Sequence, residues 1–395
     1  MEAKNIKINI PSAATDLINK LYDAGYEAFI VGGCVRDSLL GRLPGDFDIT
    51  TNAEPEEVKR LFKKTVDTGI RHGTVTVIES GEPYEVTTYR IDGEYADSRH
   101  PVSVSYTKNL RDDLARRDFT VNAMAYNDRV GLVDAFSGID DLEHGILRAV
   151  GEARLRFTED ALRILRCIRF SSVLGFGIEK STADALRELA PGLLKVSAER
   201  IYSEWKKLLG GKNAYYVIEE YRDVISIFLP ELSDVSLPDR DSFDKLSVEN
   251  RQLCMFASIG LEGFENASHR LKMESKTRTK GASVLKNLIY SPNPSDNELK
   301  RYLVDNGDEI SLDGAEISAA VGITDKQTYL RMLSLVSSPI PRKISDLSIG
   351  GRELMAMGVR GEGIGKLLYA LLLEVAQGNI RNDTDELLLR AQELL

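Results

Sequence analysis

The chain is poor in the residues that build disulfide frameworks and zinc sites. It has three cysteines, Cys34, Cys167 and Cys254, and no CxxC spacing, which predicts free thiols in a reducing compartment. It has four histidines, without an HExxH motif or a His-Asp doublet. A zinc hydrolase or a histidine-metal phosphohydrolase is therefore disfavoured. Any metal is expected to bind carboxylates, which points to Mg²⁺ or Ca²⁺.

The sequence also lacks a long apolar segment. Its longest apolar stretch, near residues 367–376, is far shorter than the ~20 residues that a helix needs to cross a bilayer. The N-terminal segment MEAKNIKINIPS has no apolar core of a signal peptide. We therefore expect a soluble cytoplasmic protein without a membrane partner.

Basic residues are outnumbered by acidic ones. The 51 Lys and Arg residues face 61 Asp and Glu residues, for a formal net charge of −10. This balance argues weakly against a nucleic-acid-binding protein, but a basic patch on an acidic body is compatible with it. The run at residues 269–286 is densely basic and is either a solvated helix face or a phosphate-contacting surface. Its candidate binding residues are Arg270, Lys272, Lys276, Arg278 and Lys280.

The chain changes character near residue 150. Its 395 residues exceed what one hydrophobic core supports, so two to four domains are expected. Before residue 150, the runs AFIVGG, DFDITT, GTVTVIES and YEVTTYR predict strands, and helical spacing occurs between them. After it, strand signals nearly vanish and amphipathic helices dominate. This pattern predicts an α/β head followed by an all-helical body.

Two carboxylates separated by one residue, Asp46 and Asp48, follow Gly45 in a β-prone run. Positions i and i+2 of a strand share one face, so both acids are expected to point the same way. Such a pair is either a solvated turn or a site for two Mg²⁺ ions ~3.5–4 Å apart, which activate an attacking oxygen and shield a leaving phosphate. Glu85, in YEVTTYR, either adds a third carboxylate or forms an outward-facing salt bridge.

Glycines and basic residues around this pair favour a phosphate ligand. Residues 32–33 are a Gly-Gly pair between a predicted strand and a helix that contains Arg36. Glycines let backbone amides approach phosphate oxygens, although a Gly-Gly pair alone is usually a turn. The run RRDFTVNAMAYN adds Arg117, Asp118 and Asn122. The Asn122 amide lies in an apolar run and needs a partner, which a ribose and triphosphate would supply.

The segment TEDALRILRCIRF predicts a helix with Thr158 as its N-cap. Arg163 lies at i+4 from Glu159 and at i+3 from Asp160, so surface ion pairs are one explanation of these charges. The pair Asp160 and Arg163 also fits a nucleobase, with the aspartate accepting from an exocyclic amine and the arginine donating to the adjacent ring nitrogen. Cytosine and adenine satisfy both residues, whereas uracil and guanine present a carbonyl and a protonated nitrogen.

Seven segments follow one another along residues 25–210: GGCVRD, GDFDITT, RHGTVTVIESGEPYEVTTYR, RRDFTVNAMAYN, GIDDLEHGILRAVG, EDALRILR and SAERIYSEW. In order and spacing they closely resemble the motifs of the class II tRNA nucleotidyltransferases, the CCA-adding enzymes of the DNA polymerase beta-like nucleotidyltransferase superfamily. The resemblance implies an α+β fold with a mixed-sheet, palm-like catalytic head at residues 1–150. Helical domains would follow: a neck with a nucleobase-selecting helix (151–210), a body (211–290) and a tRNA-binding tail (291–395).

The resemblance also implies a role for each matching residue. Asp46 and Asp48 would hold catalytic Mg²⁺, with Glu85 as the third carboxylate. Nucleotide contacts are implied for Gly32, Gly33, Arg36, Arg117, Asp118, Asn122, Asp160, Arg163 and Arg166. The last motif would brace the neck helices through Glu199, Arg200 and Glu204. In the implied reaction the tRNA 3′-hydroxyl attacks the α-phosphate of CTP twice and of ATP once, and pyrophosphate leaves.

Several activities share these motifs. The segment DTGIRHGTVTVIES is of the CCA-adding type and not of the arginine-rich type of bacterial poly(A) polymerases. The loop at residues 92–118 looks complete, which favours CCA addition over CC-only addition, but an A-only enzyme keeps this loop and stays open. An RNA-binding chaperone on the same fold is the non-enzymatic alternative. The basic run is expected to contact the acceptor and TΨC arms of tRNA. Whether the chain is a monomer or a homodimer is undecided.

Overall fold

Runs rich in Val, Ile and Thr form strands in the N-terminal part of the chain, because β-branched side chains pack well on a pleated sheet. The computed structural model describes residues 6–93 and 104–395. The strands of this part are β1 Ala28–Val31, β2 Ile49–Thr51, β3 Thr65–Gly69, β4 Thr74–Glu79, β5 Glu82–Thr88, β6 Arg90–Asp92, β7 Val104–Tyr106, β8 Met124–Asn127 and β9 Gly131–Asp134. Each of the four predicted runs therefore contains a strand, although DFDITT is a strand only over Ile49–Thr51.

A seven-stranded mixed sheet has the order β3-β4-β5-β2-β1-β8-β9, and β6 pairs with β7. In the sheet, β2 runs parallel to β5 and the other neighbouring pairs are antiparallel. Asp46 and Asp48 lie in an irregular segment that ends at Ile49, the first residue of β2. The prediction that both acids lie within a strand is therefore wrong, because the turn-forming residues Pro44 and Gly45 delay the start of pairing.

Helices pack against the sheet and dominate the chain that follows it. Up to residue 228 they are α1 Ser12–Asp23, α2 Gly33–Leu39, α3 Pro55–Leu61, α4 Leu110–Ala115, α5 Gly138–His144, α6 Ala153–Glu159, α7 Leu162–Leu174, α8 Lys180–Leu189, α9 Ala198–Leu209, α10 Ala214–Glu220 and α11 Arg222–Phe228. Short 3₁₀ helices lie at Ile70–His72, Thr120–Asn122 and Ala190–Lys195. Two short strands, β10 Ile146–Leu147 and β11 Gly177–Ile178, pair in parallel. Helix α7 packs against α9.

The remainder of the chain is helical. Its helices are α12 Arg240–Lys245, α13 Val248–Phe256, α14 Leu261–Arg270, α15 Ser275–Lys286, α16 Asp296–Ala320, α17 Lys326–Val336, α18 Gly351–Ala356, α19 Glu362–Gln377 and α20 Thr384–Glu393, with 3₁₀ turns at Pro230–Leu232 and Ile344–Asp346. Gly307, with φ +74°, interrupts α16, which only glycine does without strain. A mixed sheet followed by a largely helical region confirms the predicted fold class.

Backbone contacts divide the chain into two units, Met1–Phe228 and Leu229–Leu395. The domain limits at residues 150, 210 and 290 remain predictions. The predicted flexible loop at residues 92–118 includes residues 94–103, which lie outside the described residues. Within the described part of the chain, no helix is both long enough and apolar enough to span a bilayer.

Candidate active site

The predicted acid pair lies where the chain enters β2. A backbone amide of β1 donates to the carbonyl oxygen of Asp48 (3.0 Å), which anchors the chain at this point. In the parallel pairing of β2 with β5, Ile49 lies opposite Val86, so Asp48 and Glu85 precede matched positions on adjacent strands. Asp46, Asp48 and Glu85 are all exposed. The fold therefore brings the three predicted carboxylates onto neighbouring segments that solvent reaches.

The charges of these acids interact. The pKa of Asp48 is raised to about 6, first by the surrounding protein, which disfavours the charged form, and then by the negative charges of Asp46 and Glu85, whereas Arg117 lowers it. The pKa of the Cys34 thiol is raised to about 11 by burial and by Asp48. Negative charge is therefore concentrated in front of β2, and a cation bound there would relieve the repulsion.

The acid pair is suited to a divalent cation whose coordination a substrate phosphate completes. Among residues 6–93 and 104–395, no three His, Cys, Asp or Glu side chains form a ready-made metal cage. Mg²⁺, however, is commonly bound by one or two carboxylates together with substrate phosphates. Asp46 and Asp48 supply such a pair of hard oxygen donors, and their unrelieved repulsion fits a site completed by a cation and a phosphate.

The loop between β1 and α2 lies against two guanidinium groups. Gly32 has φ +81°, and a Cβ there would lie 2.9 Å from Nη1 of Arg117, so both its conformation and its surroundings require glycine. A Cβ at Gly33 would lie 3.6 Å from Nη2 of Arg36. The buried Nε of Arg117 has no hydrogen-bond partner among the described residues. An unpaired buried donor beside a glycine loop fits an anionic ligand such as a phosphate.

An aspartate that the sequence analysis missed holds Arg117. Asp113 is fully buried and accepts from Oγ1 of Thr50 (3.0 Å) and Nε of Arg116 (2.9 Å). Nη2 of Arg117 lies 3.6 Å from its carboxylate. Burial alone would raise the pKa of Asp113, but the two guanidinium groups hold it below its ordinary value. The only sequence signal was the doublet Asp112-Asp113, which is equally typical of solvated charge.

The predicted ribose and phosphate contacts form a buried network. Asn122 accepts from Arg36 and donates to Oδ1 of Asp118 (3.0 Å), and Oδ2 of Asp118 accepts from Nε of Arg166 (2.9 Å). Asp118 and Asn122 are 8% and 6% exposed. The polar partner that Asn122 was expected to need is therefore present within the protein. Arg36 belongs to α2, which begins at Gly33 of the glycine loop, and Arg166 belongs to α7. The network therefore joins the glycine loop to α7.

Asp118 is expected to stabilise the fold in a pH-dependent way. Burial alone would raise its pKa, but Arg166 and the hydrogen bonds from Asn122 and Arg166 hold it well below the ordinary value. Such a carboxylate stabilises the fold above its unfolded-state pKa, and this stability is lost as pH falls through the folded-state value. We expect Asp118→Asn to lower the free energy of unfolding by about 3 kcal/mol at pH 7, and by less as pH falls below about 4.

Chemical unfolding at a series of pH values measures this effect. Asp23→Asn is the matched control, because Asp23 is exposed and its ion pair with Arg129, at 3.3 Å, is a surface pair. It should change stability by less than about 0.5 kcal/mol. A difference between Asp118→Asn and the original protein that stays constant from neutral to acid pH would contradict the assignment.

The proposed base-reading residues lie at a break between two helices. Helix α6 ends at Glu159 and α7 begins at Leu162. Thr158 therefore lies inside α6, where its hydroxyl donates to a carbonyl oxygen one turn earlier (2.8 Å), and its prediction as an N-cap is wrong. Asp160 caps the helix start instead, since its Oδ1 accepts from the Leu162 amide (3.0 Å).

Ion pairs on both sides fix this break. Arg163 donates to Oε2 of Glu159 (2.6 Å), so the i, i+4 pair is confirmed. Asp160 pairs with Arg200 of α9, whose Nη2 donates to its Oδ2 (3.0 Å). The expected i, i+3 pair between Asp160 and Arg163 is therefore replaced by a long-range one. Arg163 also donates to the carbonyl oxygen of Arg116 (2.8 Å), which ties the start of α7 to the RRD segment.

The last motif supplies a second link between α9 and α7. Glu204 is 5% exposed and accepts from Nε of Arg169 (2.8 Å). The guanidinium of Arg169 lies 3.5 Å from the ring centroid of Phe170, a contact that the sequence analysis missed. Those of Arg36 and Arg166 lie 5.0 and 5.3 Å from the same ring. Phe170 therefore packs among three arginines, of which Arg36 and Arg166 belong to the network.

In the second unit, much of the basic run is already paired. Arg270 donates through both Nη atoms to Glu231 (2.7 and 2.6 Å). Lys280 lies 2.7 Å from Glu309 and 2.9 Å from Asp313. These carboxylates are far away in sequence, so the run alone gave no sign of them. Pairing of this kind makes Arg270 and Lys280 poor candidates for phosphate contacts.

A cavity of about 440 Å³ opens between α14 and α15, beside the same run. Its lining includes Arg278, Lys286 and His269, and Arg278 donates to the His269 ring (2.9 Å). The buried Nε of Arg278 has no hydrogen-bond partner in the described part of the chain. Lys276, near the start of α15, is exposed. The cationic groups that remain open to a phosphate are thus centred on α15.

Comparison with known proteins identifies the class of the chain. Residues 28–148 match the family described as "Poly A polymerase head domain", and residues 175–235 match "Probable RNA and SrmB- binding site of polymerase A". The first match covers the sheet with its acid pair, glycine loop and RRD segment. The N-terminal sheet therefore resembles the head domain of this polymerase family.

Full-length relatives narrow the class. The CCA-adding enzyme of Leuconostoc mesenteroides is 37% identical over 95% of this chain and 94% of its own. That of Ligilactobacillus salivarius is 36% identical over 98% of both. A crystal structure of the Bacillus stearothermophilus CCA-adding enzyme in complex with CTP has a TM-score of 0.78 and 30% identity, over 97% of each chain. The chain belongs to the family of CCA-adding enzymes.

Proposed function

We propose that this chain extends the 3′ end of tRNA with CCA from CTP and ATP, at the site built on Asp46, Asp48 and Glu85. As a CCA-adding enzyme, it is a tRNA nucleotidyltransferase. The observation that supports this location is the parallel pairing of β2 with β5, in which Ile49 lies opposite Val86, so that Asp48 and Glu85 precede matched positions on adjacent strands. Three free cysteines are in keeping with a cytoplasmic location.

The protein's own residues bind and orient the reactants. Arg117, with its unpaired Nε, lies against the glycine loop and would hold the triphosphate. Arg36 is already paired with Asp37 and Asn122 and would hold the loop in place. Asp46 and Asp48 would hold Mg²⁺. When bound, this ion supplies Lewis acidity that favours an ionised tRNA 3′-hydroxyl and balances charge on the departing pyrophosphate. The negative charge of Glu85 would strengthen the attraction of Asp46 and Asp48 for a bound cation.

Base selection would fall to Asp160 and Arg163. Each carboxylate oxygen accepts two hydrogen bonds, so Asp160 can bind the Leu162 amide and Arg200 and still accept from an exocyclic amine. Arg163, held by Glu159 (2.6 Å), would donate to the adjacent ring nitrogen. Uracil and guanine would set a carbonyl against the Asp160 carboxylate, which is repulsive.

Stepwise extension of a tRNA that lacks its 3′ CCA tests the proposal. CTP alone should add two nucleotides, ATP alone should add none, and both together should add three. Extension by ATP only on a tRNA that already ends in CC would identify an A-adding enzyme. Binding of tRNA without any extension, in the presence of Mg²⁺, would identify the RNA chaperone.

The basic side chains of α15 that remain available, Lys276 and Arg278, are expected to contact tRNA phosphates. Reversing Lys276 and Arg278 to glutamate should weaken tRNA binding at least about tenfold in 50 mM salt and flatten its salt dependence by about two units of slope. Lys366→Glu is the control, because Lys366 is exposed on α19 and its ion pair with Glu362, at 3.5 Å, is a surface pair. Fluorescence titration measures both variants. Unchanged binding of the double variant at low salt would remove α15 from the tRNA contact surface.

A further inference from the structure

Asp160 lies where no regular secondary structure fixes its side chain. It is the first of the two residues between α6 and α7, with φ −137° and ψ 103°. Its carboxylate has two donors, the Leu162 amide on Oδ1 and Nη2 of Arg200 on Oδ2, both at 3.0 Å. The amide donor is local and would persist in several orientations of the carboxylate. The Arg200 donor comes from a different helix, 40 residues away in sequence, and selects one orientation.

We infer that Arg200 is a positioning residue for base selection: its guanidinium holds the Asp160 carboxylate in the orientation that admits cytosine and adenine and rejects uracil and guanine. This inference rests on the proposed function. It assigns to Arg200 a part beyond bracing the neck helices, because the contact is made to the base-reading carboxylate itself. A hydrogen bond between charged groups is short and directional, so it restricts the rotation of a side chain at an irregular backbone position.

The second link between α9 and α7 makes it possible to distinguish orientation of Asp160 from bracing of the two helices. Glu204 lies one helical turn after Arg200 and accepts from Arg169 (2.8 Å). It joins the same two helices without touching Asp160. If Arg200 only braces the helices, loss of Glu204 should have the same consequence as loss of Arg200. If Arg200 orients Asp160, the two losses should differ in nucleotide discrimination.

The test compares kcat/KM for CTP against UTP, and for ATP against GTP, in Arg200→Met, Arg200→Lys and Glu204→Gln. We expect Arg200→Met to lower both ratios at least about tenfold. Arg200→Lys keeps a single charged donor and should lie between Arg200→Met and the original protein. Glu204→Gln should lower the melting temperature but leave both ratios within about twofold, since it does not contact Asp160.

A double variant tests whether Arg200 acts through Asp160. In an Asp160→Ala background, Arg200→Met should cause no further loss of discrimination, because the group that Arg200 positions is gone. Additive losses in the double variant, or unchanged ratios in folded Arg200→Met, would overturn the inference. If Arg200→Met does not fold, Arg200→Lys alone and in the Asp160→Ala background carries the same comparison. If the original protein fails to add CTP and ATP to tRNA, the proposed function fails, and this is separate from the result for Arg200.

Discussion

Replacing Asp46 or Asp48 with asparagine should abolish incorporation of all nucleotides alike. Asparagine keeps the size of the side chain and removes the negative charge, so the pair loses its affinity for a divalent cation. We expect kcat/KM for CTP and for ATP to fall by a common factor of about 10³ or more. Primer extension under single-turnover conditions measures this fall without interference from product release.

Stability in the absence of metal distinguishes loss of the site from loss of the fold. The pKa of Asp48 is raised to about 6, so its charged form is disfavoured in the folded state. The contribution of Asp48 to the free energy of unfolding therefore decreases as pH rises from about 4 through 6. Asp46→Asn removes one source of repulsion. At pH 7 without divalent cations it should equal the original protein or exceed it by up to about 1 kcal/mol, once solvent screening is considered.

Asp67→Asn is the matched control for both measurements. Asp67 is an exposed carboxylate on β3 of the same sheet and pairs with Lys59 at 3.2 Å, so its loss should leave incorporation unchanged. An Asp46→Asn protein that is folded and extends tRNA at the original rate would refute the role of the acid pair.

Asp160→Ala should damage nucleotide choice more than it damages catalysis. The variant loses both the acceptor for an exocyclic amine and the negative charge that repels a carbonyl. Sites that recognise a polar group by hydrogen bonding reject its absence by large factors. We expect the CTP-to-UTP and ATP-to-GTP ratios of kcat/KM to fall about 100-fold or more, while Mg²⁺ dependence of the remaining CTP incorporation is unchanged.

Asp184→Ala controls for loss of a carboxylate in this unit, since Asp184 is exposed on α8. It should leave both ratios unaltered. Asp160→Ala can also weaken the start of α7, because Asp160 caps it, by about 1 kcal/mol. The melting temperature therefore accompanies the kinetic ratios. An equal loss for all four nucleotides would contradict base reading by Asp160.

Local patterns predicted the elements that local chemistry determines. The strands at residues 28–31 and 82–88 follow from β-branched runs, and the Glu159–Arg163 pair follows from helical spacing. The start of α7 was misplaced because Thr158 and Asp160 are both good capping residues. Contacts of α6 and α7 with the rest of the fold, and not capping preference, decide between them.

Partners distant in sequence could not be predicted. Asn122 was expected to need a ligand, but Arg36, 86 residues away, occupies its oxygen. Arg270 was expected to be open to RNA, but Glu231 binds it. A basic or polar side chain looks the same in sequence whether its partner is solvent, substrate or another part of the chain. Burial and pairing depend on the packed structure.

The sequence by itself determined the family motifs, the order of a β-rich head before helices, and the carboxylates that give the head its chemistry. These depend on residue types and short spacings, which the covalent chain fixes. The tertiary structure alone decided that Asp48 shares the field of Glu85, that Asp113 accepts from Thr50, and that Arg200 reaches Asp160. Each of these contacts joins separate segments, and electrostatic effects within a few ångströms arise only once packing has brought the segments together.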